Sequence, residues 1–346
     1  MSDAAPSRLE LLSRWAAERH GLPRQAVDLR LAAGDASFRR YYRLTLSGGA
    51  TRMLMDAPPE KEDSRPFVTI ARRWAAAGLP VPSLHGIDLA HGFLELDDLG
   101  DAPLQTCFGS ESDAATLAWH ERAMALIHEL QNRAGPDELP PFDATLLGRE
   151  LDLFPEWCLG EWLNMAPPPG WPALREALIA SALAQPVVTV HRDYDAMNLM
   201  VRDDGLHLID FQDAVAGPLS YDLISLLRGR YCRFDADRFA AWVEAFRQRA
   251  RHDGRLPARV DSATFLSQAQ AMAAQRSLKV LGIFCRLTLR DGKRGYLARL
   301  PHFLNHLDDS LAGLDGHDAF KGWLDETLRP ALTARLAETT GPGSQP

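Results

Sequence analysis

Residues 190–213 read VHRDYDAMNLMVRDDGLHLIDFQD, and they constrain the architecture more than any other segment of the chain. The preceding run QPVVTV is apolar and rich in β-branched residues, so it predicts a strand. Two short apolar runs, NLMVR and LHLID, flank the Asp204-Gly205 pair, and this arrangement predicts a β-hairpin with a tight turn. Folding that hairpin returns Asp210 to the end at which Asn198 lies.

This segment carries a carboxylate, an amide and a second carboxylate at a spacing that suits phosphoryl transfer. Asp193 would orient an acceptor hydroxyl and take its proton. Asn198 and Asp210 would supply a neutral and an anionic oxygen to Mg²⁺ on the phosphates of ATP. A His-Arg-Asp tripeptide alone is weak evidence, but here H-x-D-x-x-x-x-N precedes a strand, an acidic turn, a second strand and Asp-Phe. That order is typical of a kinase catalytic loop and its metal hairpin, and a structural hairpin with acidic turns is the alternative.

The order of strand and helix patterns predicts an α+β fold. Strands are predicted at 27–32, 38–46, 51–56, 84–88 and 92–96, with amphipathic helices at 7–20 and 64–77. Further helices are predicted at 113–134, 145–165, 171–184, 219–230, 235–252, 261–290 and 319–337. We therefore expect a bilobal chain with an N-terminal lobe built on a five-stranded antiparallel sheet, and a mainly helical C-terminal lobe. The predicted divisions are the N-terminal lobe 1–96, a hinge 97–100, the catalytic and substrate lobe 101–337 and a disordered tail 338–346.

Composition narrows the class of protein. With 346 residues, 46% of them hydrophobic, the chain is long enough to bury the cores of two lobes. The net charge of −8 argues against a nucleic-acid partner. No apolar run approaches the roughly 20 residues that a membrane span needs, and the N-terminus lacks the apolar core of a secretory signal. Four scattered cysteines suggest neither a zinc site nor a disulfide framework. We expect a cytoplasmic monomer that binds no membrane.

The chain resembles the aminoglycoside phosphotransferase and choline kinase family, small-molecule kinases that share the bilobal protein-kinase-like fold. The resemblance covers most of the chain. Its matching segments are GDASFRRYYR (34–43), MLMDAPPEKED (53–63), GFLELDDLGD (92–101), HRDYDAMNLM (191–200), LIDFQDAVAGPLSYDLISLL (208–227) and SLKVLGIFCRLTLRDGK (277–293). Within the family the chain is most similar to bacterial sugar kinases of cell-wall recycling. That similarity implies ATP-dependent phosphorylation of the anomeric hydroxyl of a small amino sugar, N-acetylmuramate or N-acetylglucosamine, with Mg²⁺ as cofactor.

The resemblance also assigns roles residue by residue. It makes Asp193 the catalytic base and makes Asn198 and Asp210 the metal ligands. Asp222 becomes the carboxylate that braces the catalytic loop. A loop that must hold a carboxylate against a hydroxyl needs supporting contacts, which His191 and Asp222 would supply. Asp222 also lies in the first turn of a predicted helix, where a carboxylate is favourable, and both roles can hold together.

One departure from the family pattern concerns the third strand. Kinases of this fold carry a lysine there, which meets the α- and β-phosphates. This strand reads TRMLMD (51–56), so methionines occupy the candidate positions. The nearest cations in sequence are Arg39, Arg40 and Lys61, and we expect Arg40 and Lys61 to take the place of the lysine.

Other residues of the N-terminal lobe are predicted to contact ATP. The turn from Gly34 to Ser37 lies between two predicted strands, so its amides would cover the phosphates, although an ordinary hairpin turn is the alternative. In the hinge, backbone N–H and C=O groups would bind the adenine edge. The hinge candidates are Leu96, Asp97 and Leu99.

Candidates for the acceptor pocket are less specific. Glu156 lies among aromatic residues, a composition that suits a sugar. Gln212 and Asp213 directly follow the predicted metal aspartate. Arg286 and Arg290 share a helix face and would bind an acidic group such as a lactyl carboxylate. For each of them, core packing or a solvated helix face is the alternative.

Two rival functions remain open at this level. An aminoglycoside or choline-type kinase would use the same chemistry, and it would line its acceptor pocket with carboxylates. A nucleotide-binding pseudokinase would explain the missing lysine. It would not explain why the base and both metal ligands are intact.

Overall fold

A computed structural model describes residues 6–34, 38–203 and 205–340. The chain forms two compact units. One comprises Met1–Pro103 with Asn198–Asp213, and the other comprises Leu104–Met197 with Ala214–Pro346. The catalytic-loop segment therefore contributes to both units, because the chain passes from one to the other after Met197.

Nine strands lie in the described ranges. They are β1 (Leu29–Gly34), β2 (Arg40–Thr45), β3 (Thr51–Asp56), β4 (Leu84–Asp88), β5 (Phe93–Asp97), β6 (Val187–Val190), β7 (Leu199–Arg202), β8 (Gly205–Leu208) and β9 (Val215–Pro218). The first five form one antiparallel sheet in the order β1-β2-β3-β5-β4. The remaining strands form the pairs β6-β9 and β7-β8.

The same ranges contain eleven α-helices. They are α1 (Arg8–His20), α2 (Arg65–Ala76), α3 (Ala114–Arg133), α4 (Ala144–Leu153), α5 (Trp171–Leu183), α6 (Tyr221–Leu227), α7 (Ala236–His252), α8 (Ser262–Leu289), α9 (Leu300–Ala312), α10 (Asp318–Trp323) and α11 (Arg329–Thr340). A five-stranded antiparallel sheet followed by a helical region confirms the predicted α+β fold. No helix of the described ranges is long and apolar enough to cross a membrane.

The first unit is held together by the packing of α1 against the sheet. Ser7 and Glu10 cap the start of α1 reciprocally, and Gly21 ends it at φ 61°, a conformation that favours glycine. Leu12 and Ala16 then face the sheet. The residues of this small core are Leu12, Ala16, Tyr42, Leu44, Leu54 and Phe93. Burial of these side chains fixes the first helix on β2, β3 and β5.

The hairpin of β7 and β8 packs against α2 in the same unit. Phe211, just after β8, stacks on Phe67 at 4.9 Å and contacts Trp74 at 5.3 Å between ring centroids. The backbone N–H of Leu208 donates to the carbonyl of Pro80 at 2.7 Å. These contacts fix the strand that leads into Asp210.

Aspartate caps begin four long helices of the second unit. The side chain of each N-cap aspartate accepts a hydrogen bond from a backbone N–H in the first turn, which satisfies a group that the helix itself leaves unpaired. The caps are Asp113 for α3, Asp143 for α4, Asp235 for α7 and Asp261 for α8. A large core of this unit lies between α4, α5, α8 and α9, where α8 is central.

Several elements differ from the sequence expectation. The helix predicted at 145–165 is α4 followed by a π-helical segment, Phe154–Leu163. Another π-helical segment, Leu324–Leu328, interrupts the helix predicted at 319–337, and α11 extends to Thr340. Helix α9 and strand β9 were not predicted. Residues 341–346 of the predicted tail lie outside the described ranges.

Candidate active site

The β7-β8 hairpin brings Asn198 and Asp210 to one end. Leu199 pairs with Leu208 and Arg202 with Gly205. Asp204, part of the predicted turn, lies outside the described residues. At the open end the backbone N–H of Ile209 donates to the carbonyl of Asn198 at 3.1 Å. The Asn198 side chain is buried and that of Asp210 is half-exposed.

Backbone strain concentrates beside the predicted base and at a predicted metal ligand. Among the described non-glycine residues, left-handed φ angles occur at Asn164, Arg192, Asp203 and Asp210. Asn164 ends a π-helical segment and Asp203 lies in the hairpin turn, where such angles are ordinary. Arg192 at φ 75° and Asp210 at φ 63° have no such local reason. Strain of this kind costs about 1–3 kcal/mol and occurs preferentially at functional sites.

Asp222 holds the backbone of the catalytic loop. Its carboxylate accepts the N–H of His191 at 2.7 Å and the N–H of Arg192 at 3.1 Å. The contact with His191 therefore uses the main chain. Burial raises the pKa of Asp222, and the charge of His191 and the two N–H donors oppose that shift. Tyr194 anchors the same loop by donating from its hydroxyl to the Ala123 carbonyl at 2.8 Å.

Glu150 on α4 is a site candidate that the sequence reading missed. Its carboxylate is 4% exposed. It accepts hydrogen bonds from Arg192 Nη2 at 2.9 Å, Lys279 Nζ at 2.8 Å and Gln275 Nε2 at 3.2 Å. Burial alone would raise the pKa of Glu150, but Lys279 and Arg192 outweigh burial and lower it. The arginine that precedes Asp193 is thus fixed by a buried, ionised carboxylate.

Asp195 is the second missed candidate, two residues after Asp193. Its Oδ2 lies 3.1 Å from Arg230 Nε, and its Oδ1 accepts the N–H of Met197 at 3.2 Å. Its own backbone N–H donates to the carbonyl of Asp193 at 2.9 Å. Burial raises the pKa of Asp195, Arg230 opposes the shift, and Asp193 adds to it. Arg230 therefore supplies the countercharge for two neighbouring carboxylates.

In the first unit, Arg39 is the cation that contacts Asp210. It is 7% exposed. Its Nη2 lies 2.6 Å from Glu62 Oε1 and its Nη1 lies 3.6 Å from Asp210 Oδ1. Arg40 and Lys61, the predicted replacements for the lysine, are exposed, and Lys61 Nζ lies 5.7 Å from the Phe38 ring centroid. Burial raises the pKa of Glu62. The charge of Arg39 opposes this shift, and the nearby charges of Asp213 and Asp210 reinforce it.

The remaining predicted ATP contacts lie in or after strands of the first sheet. Gly34 ends β1 opposite Arg40 of β2, whereas Ser37 lies outside the described residues. Leu96 and Asp97 end β5. Asp97 has structural partners already, because its carboxylate accepts the Ser83 N–H at 3.0 Å and contacts His85 Nε2 at 2.7 Å. The Leu99 side chain is buried.

The predicted acceptor residues fall into two groups. Gln212 Nε2 donates to Asp210 Oδ1 at 2.9 Å, and Asp213 is exposed beside it. Glu156 is exposed on a π-helical segment. The pKa of Arg286 is lowered mainly by burial, and the nearby charge of Glu156 opposes this shift. Arg290 is exposed and pairs with Asp291 at 2.7 Å.

Comparison with known proteins shows which family the chain belongs to. Residues 28–261 match the phosphotransferase enzyme family. The chain belongs to that family. This phosphotransferase is 38% identical over 288 residues to the N-acetylmuramate/N-acetylglucosamine kinase of Pseudomonas putida, with 82% of this chain and 84% of the relative covered. It is also 38% identical over 290 residues to the enzyme of that name from Neisseria meningitidis, with 82% and 86% covered.

A solved structure shares the fold at low sequence identity. The phosphotransferase superposes on an ethanolamine kinase from Plasmodium vivax with a TM-score of 0.60 at 10% identity. The alignment covers 89% of this chain and 91% of that structure. The predicted protein-kinase-like fold and the predicted family are therefore both confirmed.

Proposed function

We propose that this phosphotransferase uses ATP to phosphorylate the anomeric hydroxyl of N-acetylmuramate, N-acetylglucosamine or both, giving the sugar 1-phosphate. The observation that carries the proposal is 38% identity to two kinases of these sugars over 82% of the chain. Peptidoglycan recycling in the cytoplasm would supply such acceptors. The presence of a base candidate and two metal-ligand candidates in one motif supports catalysis over nucleotide binding alone.

Asp193 is the proposed catalytic base. It would accept the proton of the sugar hydroxyl while the hydroxyl oxygen attacks the γ-phosphorus of ATP and ADP leaves. This role requires a loop held in one geometry. Asp222, through the N–H groups of His191 and Arg192, and Glu150, through the Arg192 guanidinium, support that requirement.

Asn198 and Asp210 are the proposed ligands of Mg²⁺. Their oxygen donors fit a hard cation that is bound by one or two protein ligands together with nucleotide phosphates. Bound there, the cation would neutralise charge on the phosphates. Gln212 donates to Asp210 Oδ1, and this contact would orient the carboxylate.

Arg39 is the proposed cation for the α- and β-phosphates, with Arg40 and Lys61 as secondary contributors. The ion pair of Arg39 with Glu62 parallels the lysine-glutamate pair that kinases use for this purpose. The contact of Arg39 with Asp210 supports it further, because it brings the cation to the proposed metal ligand. The glycine turn at Gly34 and Ser37 and the backbone near Leu96, Asp97 and Leu99 remain the proposed phosphate and adenine contacts.

The charge around Asp193 favours this acceptor over a polycationic one. Aminoglycosides and choline require carboxylates that are available to the ligand. In the second unit, Asp195 is paired with Arg230, and Glu150 is paired with Arg192 and Lys279. These carboxylates already have cationic partners.

An acceptor panel tests the proposal. The purified protein would be incubated with ATP and Mg²⁺ in the presence of N-acetylmuramate, N-acetylglucosamine, an aminoglycoside or choline, and ADP release would be followed. We expect acceptor-dependent ADP release with the two amino sugars only. Release with the aminoglycoside or with choline in their place would contradict the proposal.

A further inference from the structure

An irregular loop after α6, residues 228–235, is tied to α9. The Gly229 carbonyl oxygen lies 2.9 Å from His302 Nε2 and 3.1 Å from His306 Nε2. His306 is fully buried. Two histidines from successive turns of one helix therefore hold a single loop carbonyl.

Ion pairs tie the same loop to α9 a second time. Arg228 Nη1 and Arg233 Nη2 lie 3.2 and 2.7 Å from the carboxylate of Asp309. Arg228 Nη1 also donates to the Phe234 carbonyl at 3.3 Å. These contacts reduce the number of conformations that the irregular segment can adopt. The side chains between the anchors are therefore held in defined positions.

The residues between the anchors are Arg230, Tyr231 and the buried Cys232. Arg230 reaches Asp195 at 3.1 Å, and its side chain is 21% exposed. Burial acts against ionisation of Arg230, but Asp195 and then Asp193 raise its pKa. Tyr231 is half-buried and meets Phe108 edge-on at 6.5 Å between ring centroids. The loop thus presents a cation and a phenol close to Asp195, two residues after Asp193.

A second segment, just before α9, adds Tyr296 and Arg299. The Arg299 guanidinium carbon lies 5.7 Å from the centroid of the Tyr231 ring. Tyr296 is half-buried and packs edge-on against Phe284 at 5.1 Å. Arg299 is exposed, and within the described part of the chain it forms no ion pair with a carboxylate. Its charge is therefore available to a ligand, in contrast to that of Arg230.

We propose that Tyr231, Tyr296 and Arg299 form the acceptor subsite beside Asp193, and that Arg299 selects acceptors that carry a carboxylate. The assignment rests on the proposed function. Half-buried tyrosines offer ring faces to the C–H surface of a sugar and hydroxyls to its polar groups. An arginine without an acidic partner matches a carboxylate with two parallel hydrogen bonds. Arg230 stays paired with Asp195.

The two proposed acceptors provide a direct comparison. N-acetylmuramate differs from N-acetylglucosamine by a lactyl ether that bears a carboxylate. An Arg299 that binds this carboxylate changes the kinetics of one acceptor and not of the other. The tyrosines contact the shared pyranose and act on both acceptors.

The test measures kcat and KM for both sugars in the parent protein and in Arg299→Met, Arg299→Lys and Arg238→Met. Arg238 is a matched control, because it is exposed and lies 5.6 Å from the Trp242 ring on α7. Arg299→Met lowers kcat/KM for N-acetylmuramate by about 10- to 100-fold, mainly through KM, and changes that for N-acetylglucosamine less than about twofold. Arg299→Lys recovers part of the loss, and Arg238→Met changes neither sugar.

An unchanged ratio of the two kcat/KM values in Arg299→Met overturns the assignment while leaving the proposed function intact. This holds when neither value changes and also when both fall equally in a variant whose circular dichroism matches the parent. Failure of the parent protein to phosphorylate either sugar is a different outcome, because it rejects the proposed function and the subsite with it.

Discussion

Asp193 is the residue on which we expect turnover to depend most. Asp193→Ala should lower kcat by about 10² to 10⁴, the usual loss when a general base is removed. The affinity for ATP should stay close to that of the parent, because the base acts on the acceptor hydroxyl and not on the nucleotide. Steady-state kinetics and calorimetric titration with ATP measure the two effects. A variant with the parent's kcat would exclude Asp193 as the base.

Arg39 is the residue whose charge we expect to matter most for ATP. Arg39→Met removes the cation that contacts Asp210 and Glu62 and should raise the KM for ATP by about tenfold or more. Arg40→Met and Lys61→Met, which alter exposed side chains, should have smaller effects. The acceptor KM should change little in all three variants. Larger effects on the KM for ATP at Arg40 or Lys61 would mean that those residues, and not Arg39, are the main cations for the ATP phosphates.

Two of the missed residues, Glu150 and Arg230, share one cause. Asp193, Asn198 and Asp210 were predicted because they lie within one short segment with a recognisable spacing. Glu150 and Arg230 act on the same loop from 43 positions before and 37 positions after Asp193 in the sequence. Spacing carries no information about such contacts. For Glu150 the available signal was a carboxylate on the apolar face of a helix, between Leu147 and Leu151.

We expect helix α4 to hold the catalytic loop through the contact of Glu150 with Arg192. Glu150→Gln keeps the shape of the side chain but leaves the Arg192 and Lys279 charges without their carboxylate. We expect kcat to fall by about tenfold or more while the KM for ATP changes little. The reason is that the substitution alters the geometry of the catalytic loop and leaves the nucleotide contacts in place.

Asp152 provides the control on the same helix. Its carboxylate forms an equally direct pair with Arg175, at 2.7 and 2.9 Å, but Asp152 is half-exposed and the pair makes no contact with the loop. Asp152→Asn should therefore leave kcat unchanged. Equal kcat values for the two variants, measured on folded protein, would mean that Glu150 has only a structural role.

At the level of elements, local patterns predicted the strands and most helices. The five strands of the sheet follow alternation and turn residues, and the long helices follow apolar periodicity and aspartate caps. Helix α9 was not predicted, although Pro301 in its first turn is compatible with a helix. Strand β9 was missed because Gly217 and Pro218 disfavour a strand, and pairing with β6 overrides that tendency.

For the molecule as a whole, buried histidines predict a loss of stability in mild acid. Burial lowers the pKa of His120 and His306, and it lowers that of His128 to about 4 with help from Arg255. Asp253 opposes the shift at His128, and Arg249 adds to it. A histidine with a lowered pKa binds fewer protons when folded, so the free energy of unfolding falls as the pH drops below its unfolded value of 6.5.

Urea unfolding measured between about pH 8 and pH 5 tests this sign. The midpoint should be nearly constant above about pH 7 and should decrease below it. His128→Asn should flatten the decrease, because the side chain that replaces histidine does not titrate in this range. A His128→Asn variant whose midpoint falls as steeply as that of the parent on acidification would contradict the assignment of a neutral buried His128.

The position of the phosphate on the reaction product tests the central claim most directly. The product formed from ATP and N-acetylmuramate or N-acetylglucosamine would be purified, and phosphorus and proton NMR would identify the carbon that bears the phosphate. The proposed function predicts a phosphate on the anomeric carbon, seen as coupling between phosphorus and the anomeric proton. A phosphate on any other hydroxyl, or the absence of a phosphorylated sugar, would contradict the account.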